Sequence, residues 1–207
     1  MKESDVMKAI EILNSVVEND TKLYKHLWGA YTKAKNLLDG RHIDSDIKEK
    51  IINTVMLHDI GYSKKIAEVG DHNLDGYNFL LKKYPGVTFE KCVLLHGNYI
   101  GFLTEDDMHE NNASKVLLAD ETNKSLTQLE EEVLNFLDYC DITTDGNGEC
   151  TTVNGRLVDI IKRYGTSEVK VKNFENHIDA AYRVCERIHY TINKIENMYI
   201  KDKSLDI

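Results

Sequence analysis

A chain with a single proline, Pro85, and few continuous β-branched runs has little that forces a helix to stop and little material for strands. What recurs instead is an apolar residue every three or four positions, the period of a helix with one buried face. Ile10, Leu13, Val16 and Val17 make the first such stripe. Between positions 22 and 38, Leu23, Leu27, Ala30, Ala34, Leu37 and Leu38 share a face, and Gly40 is placed to end that helix. Asp44 or Ser45 can cap the next, whose stripe of Ile47, Ile51, Ile52, Val55 and Met56 runs into His58 and Asp59. Asp71 precedes a helix that stops at Pro85, and a short apolar helix over 89–95 leads to His96. Further helices are expected over 126–139 and 158–164, with one long C-terminal helix over 174–199. No repeat, low-complexity tract or linker interrupts this pattern. The expectation is an all-α fold, one compact helical bundle spanning 1–207.

Charge and cysteine usage narrow the class. A formal net charge of −9 repels a polyanion from most of the surface, which argues against non-specific nucleic-acid binding but not against a small phosphorylated substrate in a local cationic site. Cys92, Cys140, Cys150 and Cys185 show no C-x-x-C spacing, so neither a disulfide framework nor a zinc knuckle is expected. No apolar run approaches a membrane span, and no apolar stretch follows Met1 as in a signal peptide. These features together place the expectation in the cytoplasm, away from membranes.

The chemistry is concentrated in histidines with acidic neighbours. His58 and Asp59 end an apolar run, and a carboxylate and an imidazole at the end of a buried helix are costly to leave unpaired. Metal coordination and a structural hydrogen-bond network both compensate them. The acidic stretch from Asp141 to Glu149 superficially looks like a calcium loop, but its twelfth position is Thr152, where a bidentate Glu is needed.

The run LHDIGY at 57–62 resembles the signature dyad of the HD-domain superfamily of metal-dependent phosphohydrolases. His26, in HLWGAYTKA at 26–34, is similar to that family's upstream ligand, with small residues at its fourth and eighth successors. Asp141, in YCDITTDG at 139–146, looks like its last ligand. The block from there through RLVDIIKRYG at 156–165 is similar to a bacterial subgroup of small HD proteins. The resemblance covers about 20–166, an HD core with an N-terminal helix and a long C-terminal helix packed on it. It implies that His26, His58, Asp59 and Asp141 hold a divalent metal, with Asp120 as the rival for the last position.

Two more positions match an extended form of the family pattern. His72, in HNLDGYNF at 72–79, resembles a helix start that supplies a further ligand in two-metal members, and Gly76 there allows a close approach. His96 resembles the first of two adjacent histidines, but position 97 is Gly, and Tyr62 stands where many two-metal relatives have Lys. The Gly97 departure predicts one tightly held ion and at most one weaker one, with Asp59 able to bridge them, and the Tyr62 departure counts against the cyclic-dinucleotide activity of those relatives.

Such ligands suit Mn, Fe, Co, Ni or Mg better than closed tetrahedral zinc. The implied activity is hydrolysis of a phosphomonoester or phosphodiester, of a nucleotide by family analogy. Asp59, His72, His96 and Lys64 are the expected catalytic residues, and Lys65, Arg156 and Arg163 are further cations for the phosphate. The alternatives are an HD-fold di-iron oxygenase and a non-catalytic metal-bound sensing module.

Overall fold

A computed structural model of the chain describes residues 5–98, 113–164 and 168–200. Their architecture is all-α. The helices are α1 (Asp5–Val16), α2 (Lys22–Leu38), α3 (Ser45–Leu57), α4 (His72–Lys83), α5 (Glu90–Leu95), α6 (Ala113–Lys124), α7 (Gln128–Ile142), α8 (Val153–Tyr164) and α9 (Glu168–Ile200). Short 3-10 turns follow α3 at Ile60–Tyr62 and α5 at His96–Asn98. The extended pairing among the described residues is one isolated bridge between Thr144 and Cys150.

Local chemistry sets the helix ends. Thr21 caps α2 by accepting from the Tyr24 amide, Asp44 caps α3 through the Asp46 and Ile47 amides, and Asp71 caps α4 through the Leu74 amide. α7 begins with a capping box in which Thr127 and Glu130 satisfy each other's backbone amides. Each cap of this kind contributes about 1 kcal/mol. Past α2, Gly40 takes a φ of 68°, a left-handed value that costs glycine little.

The buried faces meet in three clusters. The largest joins Ala30, Ala34 and Leu38 of α2, Ile51 and Val55 of α3, Phe136 and Leu137 of α7, and Ile188, Ile192 and Ile195 of α9. The second packs Ile12 and Leu13 of α1 against Leu27, Met56 and Leu57 and the α4 residues Phe79 and Leu80. A third, smaller one sets Leu74, Leu94 and Leu95 against Ala119 of α6. The long helix α9 lies along α7, its most extensive partner, and Lys194 on α9 reaches the buried Glu132 on α7. The C-terminal helix is therefore a wall of the first cluster and the N-terminal helix a wall of the second.

One close approach positions the start of α4. Gly61 lies so near the turn beginning α4 that a Cβ there would stand 1.9 Å from the His72 carbonyl oxygen and 2.8 Å from the Gly76 amide nitrogen. Gly76 has ordinary room, 3.4 Å from the Gly61 nitrogen, so the demanding position of the pair is Gly61. Gly61→Ala is expected to force the turn and α4 apart and to lower stability by about 1–3 kcal/mol, the usual range for overpacking. Urea unfolding checks this, and an unchanged midpoint would mean the two backbones are not in contact.

Candidate metal centre

α3 is buried throughout its last two turns, from Ile51 to Leu57, and ends by delivering His58 into the interior as its C-terminal cap. Asp59 follows it, also buried. His26 comes from the buried face of α2, His72 opens α4, His96 caps the end of α5, and Asp141 sits in the last turn of α7. The fold thus brings together all six ligands expected from the sequence.

Asp59 stands between two pairs of imidazoles. Its Oδ2 is 3.6 Å from His58 Nε2 and 3.9 Å from His26 Nε2, while its Oδ1 is 3.1 Å from His96 Nε2 and 3.5 Å from His72 Nε2. Asp141 Oδ1 lies 3.1 Å from His26 Nε2 and 3.8 Å from His58 Nε2. Two triads, His26–His58–Asp141 and His58–Asp59–His96, each have donor atoms within 4.8 Å of one another. In an octahedral site with bonds of about 2.1 Å, adjacent donors are about 3.0 Å apart and opposite ones about 4.2 Å. The observed separations fall between these limits.

The other ring nitrogens decide the tautomers. Nδ1 lies 3.1 Å from the Asp145 carbonyl in His26, 2.8 Å from that of Val55 in His58, and 2.7 Å from that of Val93 in His96. A carbonyl oxygen only accepts, so Nδ1 carries the hydrogen in His26 and His58, whereas His96 Nδ1 also lies 3.1 Å from the Asn73 Nδ2 donor and its Nε2 hydrogen-bonds Asp59 Oδ1 at 3.1 Å. In the neutral His26 and His58 rings the lone pair is then at Nε2, facing carboxylate oxygens that are acceptors too. Acceptor against acceptor repels unless a cation lies between them. His26 Nε2 and His58 Nε2 are indeed buried without a hydrogen-bond partner. The donor set and these two orphaned nitrogens fit a divalent ion.

The electrostatics agree. Burial alone would lower His58, but the Asp59 and Asp141 carboxylates outweigh it and raise the imidazole to about 9. Burial likewise pushes Asp59 and Asp141 up. The surrounding imidazoles, with Arg156 beside Asp141, overcome that and hold both well below the ordinary carboxylate range. His72 is lowered to about 4, chiefly by burial. Two ionised carboxylates therefore sit in the interior, and without a metal the site draws protons instead.

Several supporting residues emerge only from the structure. Asn73 Nδ2 donates to the backbone carbonyls of Leu94 and His96 at 3.1 Å each and fixes the end of α5. Tyr62 stacks on His72 with ring centres 4.0 Å apart. Lys33 donates to the Thr143 carbonyl and hydroxyl, fastening the end of α7 just beyond Asp141. Asp138, one turn before Asp141, accepts the Gly97 amide at 2.9 Å, and burial raises its carboxyl to about 6. Its spacing from Asp141 was the one readable signal among these.

The cations divide differently from the sequence expectation. Arg156 is buried and donates to Asp141 Oδ1 at 3.1 Å, so it orients a ligand rather than facing open space. Lys65 reaches the Ser15 carbonyl. Lys64 is exposed and makes no hydrogen bond or ion pair with the six cluster residues. His109 and the Arg163 side chain lie outside the described residues. No protein-family model, curated protein or solved structure matches the chain.

Asp120 pairs with Lys124 one turn along α6, whereas Asp141 meets the histidines. Asp141→Ala is therefore expected to lose bound metal, and Asp120→Ala to keep it at the wild-type level. Elemental analysis of both variants, purified without chelators, reads this directly. Metal retained by Asp141→Ala and lost by Asp120→Ala would move the ligand to α6.

Proposed function

We propose that this chain is a metal-dependent phosphohydrolase of the HD-domain type, cleaving a phosphomonoester or phosphodiester of a small molecule. The observation that supports it most is the set of three imidazoles with Nδ1 fixed by backbone carbonyls and Nε2 turned onto two ionised carboxylates. His26, His58, Asp59 and Asp141 would hold the principal ion, of Mn, Fe, Co, Ni or Mg character. Such an ion supplies Lewis acidity toward a phosphoryl oxygen and makes a bound water acidic near neutral pH.

The chain's own residues prepare the rest. Arg156 holds the Asp141 carboxylate in place, and the carbonyls of Val55, Val93 and Asp145 hold the rings. His72 is the partly open member of the cluster, its side chain 29% exposed, and Tyr62 lies flat against it. His72 and His96 line the Asp59 Oδ1 side, where a phosphoryl group or a weaker second ion would be met. That arrangement also favours the di-iron oxygenase as the second reading, because Asp59 turns one oxygen to each imidazole pair. Against equal occupancy stands Gly97, which offers no imidazole and holds a φ of 67°. A nucleotide is the substrate implied by the family resemblance.

Titration of apo-protein with Mn is expected to show one tight step and at most one much weaker step, and the loaded protein to release phosphate from a panel of phosphate esters. Asp59→Ala should lose the tight step and at least about 100-fold of the activity. It should remain helical by circular dichroism but lack the metal's stabilisation, about 2.7 kcal/mol when free metal is 100 times its Kd. Two equally tight ions that prove to be iron would transfer the assignment to the oxygenase. Tight metal with no phosphate release from any ester would leave a metal-bound module.

A further inference from the structure

A cavity of about 430 Å³ opens between α6, α7 and α9, and nothing in the metal cluster accounts for it. Its volume is that of a pocket for a small organic ligand. None of the six cluster residues lines it, but two of its wall residues sit near cluster residues along the chain. Leu95, in its wall, is the chain neighbour of His96. Asp138, also in its wall, accepts the amide of Gly97 and lies one helical turn, about 5 Å, before Asp141 on α7.

The cavity's polar wall comprises two exposed arginines, two asparagines, Thr191 and the Asp138 carboxyl, which accepts the Gly97 amide. Arg183 and Arg187 reach it from α9, four residues apart and so on one face of the helix, while Asn123 and Asn135 enter from α6 and α7. In a chain of net charge −9, two guanidinium groups share this wall, and among the described residues neither pairs with a carboxylate. Like charges four apart on a helix repel, and an anion between them removes that cost. Arg187 also lies over the Tyr190 ring, 5.3 Å from its centre, which limits where its guanidinium can go.

We propose that this cavity binds the leaving-group end of the substrate, and that Arg183 and Arg187 recognise a second anionic group there, phosphate or carboxylate, distinct from the one cleaved. This rests on the metal cluster being a phosphohydrolase centre. The two asparagines offer donors and acceptors to the uncharged polar part of the same ligand. The long helix α9, which the family resemblance does not cover, thereby becomes the element that selects the substrate.

Three phosphonates that resist hydrolysis test this by isothermal titration against the Mn-loaded full chain: phenylphosphonate, 4-phosphonobenzoate and 1,4-benzenediphosphonate. At least one doubly anionic probe is expected to bind ten-fold or more tighter than phenylphosphonate, and which one shows whether carboxylate or phosphate is preferred. Arg183→Ala/Arg187→Ala should bring all three to within two-fold of one another, while Lys35→Ala/Lys82→Ala, with the same charge change on exposed sites, should keep the preference. Equal binding of the three probes by wild type, or a preference that survives in the double arginine variant or is lost in the lysine variant, would overturn the inference. A preference that behaves as expected while no phosphate ester is hydrolysed would uphold the cavity and remove the phosphohydrolase reading alone.

Discussion

Two helices in this fold end on a histidine, and each histidine turns its Nδ1 back to the carbonyl three residues earlier: His58 to Val55 in α3 and His96 to Val93 in α5. Those carbonyls belong to the last turn, where a helix has no backbone donors left to satisfy them. One contact therefore meets a carbonyl of the helix end, holds the ring and turns Nε2 toward the carboxylates. The negative ends of both helix dipoles then face the same interior point, which favours a cation there. His26, inside α2, is held at Nδ1 by a distant carbonyl instead, that of Asp145 beyond α7.

Everything else keeps those ends converging. The buried run from Ile51 to Leu57 anchors α3, Gly61 lets the chain turn tightly enough to bring His72 beside Asp59, and Asn73 ties α4 to the end of α5. Asp141 depends on α7, which is held between the core helices and α9, with Arg156 and Lys33 securing its last turn. Core packing and the metal centre are thus coupled: a shift of α7 would move Asp141 and the Asp138 contact to Gly97 together. The same helix pair, α7 and α9, frames the neighbouring cavity, so the helix that carries Asp141 also bounds that cavity.

The fold was legible where apolar periodicity was strong. α2 spans the positions its stripe marked, and Asp44, Asp71 and Gly40 act at the ends expected of them. α6 was not anticipated, because its apolar residues do not gather on one face: Leu117 is exposed while Ala119 is buried. α8 and α9 begin earlier than their apolar stripes do, since charged and small residues extend a helix without announcing it. In the site, the ligand types and their neighbours in sequence were readable. The partners of the ligands were not. Arg156 is fifteen residues from Asp141 and Lys33 more than a hundred from Thr143, and such pairings follow from tertiary packing rather than spacing. Lys64, near the dyad in sequence, is exposed and makes no hydrogen bond or ion pair with the cluster.

The central claim is that the converging Nε2 atoms and carboxylates surround a metal ion, and anomalous diffraction from crystals grown with Mn tests it most directly. A strong anomalous peak is expected about 2.0–2.3 Å from His26 Nε2, His58 Nε2 and one oxygen each of Asp59 and Asp141, with any second peak weaker and on the side of His72 and His96. A map with no peak at this position, or with its only strong peak elsewhere on the molecule, would contradict it.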